Sequence, residues 1–372
     1  MPNVLLTVEQ IAKESLLRLR NNLVMRQLVF TDFKDEFANM GETVKVKVPA
    51  TFTAQDFESE IEVQDIAESE VLVKLDKISD VSVEITSKDL TLSIQDFGTQ
   101  ILDGAMQALA QKIDSNLAGL YIDVPYFSGT GGQTPSKLDH ISNARAVLNT
   151  NKVPYTDRNA VWGPEAEAKL LVIPSIVNAE KSGNTQVLKE ANLGRVLGLD
   201  HYGDQNIKTH TAGVYTALAD VTVTTGAAGA TSVVLTSTAG ASTAKLNKGD
   251  LMTIDGNQYV VTEQTLAAVA GVVTAKIYPA LKANAATKAV AFQTSHIANL
   301  AFHKNAFAFV NRPQALPLGG ATGYIANFEG LSVRVTMGYD MDSKKNKISF
   351  DILHGEKTLQ PELACRVFGT AQ

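Results

Sequence analysis

The sequence predicts an α+β chain whose mixed helix-and-strand body is interrupted by an all-β insertion. Three observations carry this. Residues 43–48, 71–76 and 81–85 alternate apolar and polar side chains, the period of a half-buried strand, and a long run of helical periodicity follows them. Residues 212–295 shift to Ala, Thr, Val and Gly, with few charges and short apolar runs broken by turn residues. From 296 onward aromatic residues and longer strands resume. At 372 residues, 45% hydrophobic and 19% charged, the chain is sized for two ordinary domains or one with an insertion, and it is too apolar for disorder.

Residues 7–30 read as a helix, because Ile11, Leu16, Leu19, Leu23 and Leu28 share one face while Lys13, Arg18, Arg20 and Arg26 lie between them. Thr7 followed by Gln10 forms a capping-box pattern. Such an amphipathic terminal helix lies either on its own domain or on a neighbour.

Between the strands of 43–85 the chain is acidic. Over 42–89 twelve acids face five bases, a net −7 against −6 for the whole chain. A two-stranded ribbon is marginal by itself, so docking on a basic partner is one reading and a solvated acidic loop is the other.

Residues 86–121 predict one long helix of roughly 50 Å. Ile94, Phe97, Ile101, Ala105, Leu109, Ile113 and Leu117 share its apolar face, and Thr86 with Asp89 resembles a capped start. Residues 138–149 carry helical spacing through Leu138, Ile141, Ala144 and Leu148, and 160–162 form a short strand. Gly163-Pro164 opens a further helix, since proline fits the first turn. The three glycines of LGRVLGLDHYGDQNI (193–207) suggest turns. Inside the insertion, Asp255-Gly256-Asn257 between MTI and QYVV signals a hairpin, and the run of short strands suggests a small barrel or sandwich. LSVRVTMGYD and KISFDILHG then flank the charged hairpin loop DSKKNK, and LACRVFG is one more strand.

Several function classes lack their signals. The net charge of −6, without a dense Lys/Arg cluster, disfavours tight binding to phosphates. The single cysteine, Cys365, reads as a buried structural thiol, and no zinc spacing accompanies it. No signal peptide and no apolar run of membrane length is expected. SGTGGQTPSK lacks the GK[ST] of a phosphate loop, and YDMDSKKN fails the calcium-loop pattern at its third ligand and at its glycine. The six histidines form no HExxH, and no GxSxG elbow is present. No catalytic, cofactor-binding or metal residue is therefore assigned.

One stretch looks superficially like a site. In NLAFHKNAFAFV (299–310), Leu300 and Phe302 share one parity and Phe307 and Phe309 the other. The alternation slips across His303-Lys304-Asn305, as it does at a tight bend between two extended pieces. The polar pair is thus expected at a turn, facing solvent.

NLAFHKNAFAFVNRPQALP (299–317), a strand hairpin, and FDILHGEKTLQPELACRV (350–367) together resemble the major capsid proteins of tailed bacteriophages. LGRVLGLDHYGDQNIKTHTAG (193–213) is similar to the segment that leads into an insertion in that family. The order of elements over nearly the whole chain agrees, most closely with podovirus-type coat proteins carrying an inserted β-barrel. The resemblance implies the Hong Kong 97-like capsid fold: an N-terminal arm (1–42), an extended loop hairpin (43–85), a spine helix with peripheral and axial α/β core (86–211), the inserted β-barrel (212–295) and a return to the core (296–372).

It also implies a non-catalytic subunit of an icosahedral shell around double-stranded DNA, assembled in the bacterial cytoplasm and residing in the virion. Its partners would be itself in hexamers and pentamers, a separate scaffolding protein, a portal protein and a decoration protein. DNA would be enclosed without sequence-specific binding, and no cofactor or membrane is implied. With the loop starting near residue 43, no room is left for the removable scaffolding segment of some relatives. Candidate subunit-interface residues are Asp56, Glu58, Glu60, Glu62 and Asp65 on the extended loop, and Arg18, Arg20 and Arg26 on the arm. The competing classes are a soluble enzyme without a local motif and a non-viral β-rich surface protein.

Overall fold

The computed structural model describes residues 7–31, 43–47, 70–85, 101–178, 190–240, 242–317, 322–340 and 345–370. The chain divides into two compact units. The first comprises Met1–Arg26, Phe30–Ile113 and Ala308–Leu359; the second comprises Gln27–Val29, Asp114–Phe307 and Gln360–Gln372.

In the first unit, the helix Val8–Asn22 opens with the expected box: the Gln10 amide donates to Thr7 Oγ1 at 3.3 Å, and Gln10 Oε1 accepts from the Thr7 amide at 3.4 Å. The helix does not run unbroken to residue 30. It ends at Asn22, where two successive asparagines of poor helix propensity precede an extended Leu23, and a single turn, Met25–Leu28, follows. Ile11, Leu16 and Leu19 are buried, and the helix packs on the strands Thr322–Phe328 and Leu331–Asp340.

The sheet beneath is built on the strand Lys345–Thr358. Leu331–Asp340 pairs antiparallel with it on one side and Lys77–Ile85 on the other, over nine residue positions from Asn346↔Ile85 to His354↔Lys77. Val333, Val335, Ile348, Phe350 and Ile352 fill its inner face. Thr43–Lys47 pairs with Glu70–Lys74, which is the root of the predicted hairpin. The acids Asp56, Glu58, Glu60, Glu62 and Asp65 lie outside the described residues, as do the hairpin tip and 86–100 of the predicted long helix. The described helix runs Asp103–Ala118 and tightens into a 3-10 turn, Gly119–Asp123.

The second unit holds a six-stranded mixed sheet in the order Phe127–Ser128, Ala364–Val367, Asn299–His303, Arg158–Trp162, Leu199–Gly203, Arg195–Val196. Its three central strands are buried along their whole length, so they lack the apolar–polar alternation of a half-buried strand, and their polar residues are buried with the rest. The predicted helices Leu138–Thr150 and Pro164–Leu171 cover it, with Ile141, Ala144, Leu148, Ala166 and Leu170 in one core with Trp162 and Cys365. The glycine-rich 193–207 forms a short hairpin, Arg195–Val196 with Leu199–Gly203.

The insertion forms its own six-stranded antiparallel sheet, ordered Val290–Phe292, Leu251–Ile254, Asn257–Val261, Val272–Tyr278, Ser232–Ser237, Val221–Thr225. The two edge strands meet: Thr222 bridges Ala289, and the Val223 amide donates to the Lys288 carbonyl at 2.9 Å. Val221, Val223, Leu235, Met252, Ile254, Val261, Ala275 and Ile277 point into a separate core. Asp255-Gly256 is the two-residue hairpin loop that was expected, with φ of 49° and 76° at its two positions, the conformation that makes glycine necessary.

Lys304–Ala306 is a 3-10 turn between Asn299–His303 and Phe307–Arg312, so the slip in alternation does mark a bend. His303, however, does not face solvent. It is buried, and its ring Nδ1 caps the turn by accepting the Asn305 amide at 3.2 Å. A polar side chain that satisfies a turn's own N–H has no need of water.

Candidate functional site

Polar side chains collect in three places. The first is the arm. Arg18 donates to Glu14 at 2.9 Å and also pairs with Asp103. Arg20 meets Glu329 at 3.0 Å and lies over the Phe328 ring at 5.0 Å. Arg26 is buried and donates Nη2 to the Glu329 carbonyl at 2.7 Å; burial lowers its pKa. All three arginines therefore engage partners within their own unit. Surface pairs of this kind contribute about 0–1 kcal/mol each, and they orient the helix on its sheet more than they stabilise it.

The second place is a buried polar centre where the insertion joins the α/β sheet of the second unit. Tyr121 Oη bonds His210 Nδ1 at 3.1 Å, and His210 Nε2 bonds Asp250 Oδ1 at 2.8 Å. Asp250 also accepts the amides of Gly213 (3.1 Å) and Asn247 (2.7 Å). Beside them, Arg366 reaches from the strand Ala364–Val367, donates Nη1 to the Gly249 carbonyl at 2.9 Å, and stacks over the Tyr121 ring at 5.0 Å. His296, at the exit from the insertion, lies 3.4 Å from Arg366 and donates Nδ1–H to the Thr294 carbonyl at 2.7 Å. That leaves Nε2 to accept from the guanidinium. Burial pushes His296 down to about 3 and Arg366 down to about 9.

Every member of this centre is enclosed by protein. A neutral imidazole, a carboxylate held by three donors and a stacked guanidinium are all shut away from solvent, so none is presented to a substrate. Its chemistry is that of a fastener: Arg366 from the C-terminal strand and His210 ahead of the insertion converge on the turn Asn247–Asp250, and His296 after the insertion packs against both of them.

The third place has the spacing of a nucleophile, base and acid. Ser79 Oγ lies 2.9 Å from His354 Nε2, and His354 Nδ1 lies 3.0 Å from Glu356 Oε2, while the other carboxylate oxygen, Oε1, meets Lys77. Burial raises the Glu356 carboxyl, but hydrogen bonds from His354 and Lys77 outweigh it and hold the pKa below its usual value. Yet Ser79 is 7% exposed and His354 is 0%, stacked on Phe309, and both lie within paired strands. An attacking hydroxyl needs room for an electrophile and free donors for the resulting oxyanion. Here the arrangement pairs buried polar groups inside the sheet.

Sequence reasoning named the arginines of the first cluster, though not their partners, and reached neither of the other two, because each joins positions far apart in the chain. The one local signal was available in hindsight: His210 and His296 flank the compositional shift at 212 and 295. Among the described residues no group of three or more His, Cys, Asp or Glu could hold a metal, and no helix is long and apolar enough to cross a membrane.

No protein-family model matches the chain, and no curated protein matches it. Among solved structures it is similar to a chain of Mycobacterium phage Che8, at 16% identity over 92% of this chain and 90% of that one, with a TM-score of 0.50. It also aligns with a chain of the capsid of cyanophage P-SCSP1u (13% identity, 94% and 88% covered, TM-score 0.47). A third alignment is with the mature capsid of bacteriophage PhiM1 (12%, 90% and 83%, 0.43). At such identities the likeness is one of fold, and only the first is close enough to carry it. The fold is of the Hong Kong 97-like kind.

Proposed function

We propose that this chain is a major capsid subunit that self-assembles into the icosahedral shell of a tailed bacteriophage. The observation that carries the proposal is the shared fold with a phage chain over 92% of the residues. The order of the capsid-like sequence motifs supports it independently. In this reading the subunit performs no reaction. Its work is done by surfaces, and its buried polar clusters fix the relative placement of elements within each unit.

The podovirus-type assignment, with the insertion as a family feature, belongs to the same proposal. The meeting of the insertion's two edge strands supports the barrel part of that reading. The loop acids Asp56, Glu58, Glu60, Glu62 and Asp65 would dock on basic groups of a neighbouring copy. On the arm, Arg20, 40% exposed, retains surface for a neighbour, whereas buried Arg26 would act by fixing the arm. A scaffolding protein, a portal and a decoration protein would be the other partners. Assembly in the host cytoplasm and residence in the virion complete the reading.

Sedimentation velocity tests it. Co-expressed with the neighbouring phage genes, the chain should enter particles that sediment far faster than a monomer of 372 residues. Recovery of only monomer or dimer would overturn the proposal.

A further inference from the structure

On one face of the first unit's sheet, Asp80 and Asp351 stand directly opposite each other on adjacent antiparallel strands, and Arg334 stands opposite Asp351 on its other side. Two carboxylates facing across a strand pair repel, and a single guanidinium neutralises one of them. Arg334 is committed to Asp351: its Nε and Nη2 donate to Oδ2 at 3.0 and 2.6 Å, while Nη1 is taken by the Ala315 carbonyl at 2.8 Å.

Ser349 lies between the two acids. Its Oγ is 2.6 Å from Asp80 Oδ1 and 2.8 Å from Asp351 Oδ1. A hydroxyl carries one hydrogen and can donate it along one of these directions. The other contact is an oxygen–oxygen approach at hydrogen-bond distance, which is attractive only if the carboxyl supplies the hydrogen. Ser82 donates to Asp80 from 3.1 Å and does not reach Asp351.

We propose that Asp80, Ser349 and Asp351 hold one proton between them, which makes the pairing of strand Lys77–Ile85 with strand Lys345–Thr358 a pH-sensitive clamp. With the proton present, one carboxyl donates to Ser349, Ser349 donates to the other carboxylate, and Asp351 Oδ2 still accepts Arg334. Without it, two anions and a serine with one hydrogen confront each other, with one cation to hand. Burial and the neighbouring Asp80 raise Asp351. Burial acts upward on Asp80 as well, but hydrogen bonds from Asp351, Ser349 and Ser82 outweigh it and lower that group. The proton belongs to the pair.

The remaining charges nearby are already paired. Along the same face Glu84 meets Lys345 at 2.7 Å and Lys347 at 3.8 Å, and Lys347 meets Asp340 at 2.8 Å. His354 and Glu356 alternate onto the opposite face of the strand. The inference is independent of the capsid reading.

A raised folded pKa contributes stability that is full below the unfolded value of about 3.9 and is lost as pH rises through the pair's upper pKa. The test is hydrogen exchange of segment 77–85 in the full chain, corrected for its intrinsic pH dependence, for the wild type and Asp80→Asn. The wild-type opening constant should rise relative to the variant's by up to tenfold per pH unit above about pH 4, then level off. A ratio that stays flat from pH 4.5 to 8 would overturn the proposal. If Asp80→Asn disturbs the fold, infrared spectra of the wild type with carbon-13-labelled aspartate replace it. A protonated carboxyl band at pH 6 that weakens in Ser349→Ala is expected, and no such band at pH 6 refutes the shared proton.

Discussion

Acidification to pH 5 should destabilise the second unit through His296. This imidazole is 4% exposed and lies against Arg366, and its pKa falls from 6.5 to about 3. Because the folded pKa is depressed, the unfolded chain takes up the proton first. The stability conferred by the neutral ring is complete above about pH 6.5 and declines as pH drops toward 3. At about 1.4 kcal/mol per unit, the loss is roughly 2 kcal/mol at pH 5 and approaches 4 kcal/mol near pH 3.5. The protein's one tryptophan, Trp162, is buried in the same unit and reports its unfolding. Denaturant titrations at pH 7 and pH 5 should therefore show wild type losing about 2 kcal/mol more than His296→Gln. His140, His201 and His303, also depressed chiefly by burial, are common to both proteins and cancel in the difference. Equal losses in wild type and variant would show that His296 is not held neutral, and the account of the buried centre would fall with it.

Three other perturbations test separate parts of the structure. Cys365 is fully buried and its thiol is pushed well above the usual range, so a thiol reagent should leave it unmodified in the native protein and label it on unfolding. Gly355→Ala should cost about 2–3 kcal/mol, measured by denaturant unfolding, because the added Cβ would press on the Lys74 carbonyl, a backbone atom that cannot swing aside. Reversing Glu58, Glu60 and Glu62 together to Lys should leave the circular dichroism of the monomer unchanged while assembly fails or changes form. Normal particles from that variant would return the acidic loop to the solvated reading.

What the sequence disclosed follows from how far each signal reaches along the chain. The Thr7–Gln10 cap, the Gly163-Pro164 helix start and the Asp255-Gly256 turn are set by neighbours within four residues, and all three appear where expected. The strands of the insertion were legible because one face is buried and the other wet, so the period of two survives. The central strand Asn299–His303 is buried on both faces, which removed that period and misplaced His303 in solvent. Arg366 shows the limit most clearly. The sequence places Arg366 in one more strand and says nothing of its surroundings, yet it is fully buried. Its partners, the Gly249 carbonyl and the Tyr121 ring, come from segments that no local pattern connects to it. The proton-sharing aspartates are hidden in the same way, since only the register of Lys77–Ile85 on Lys345–Thr358 brings them face to face.

The most direct test of the account is negative-stain electron microscopy of the chain expressed in bacteria, with and without its neighbouring phage genes. Closed shells tens of nanometres across in the co-expressed sample, with sheets or aberrant spirals from the chain alone, are the predicted result. Uniformly small particles of monomer or dimer size under both conditions would contradict it.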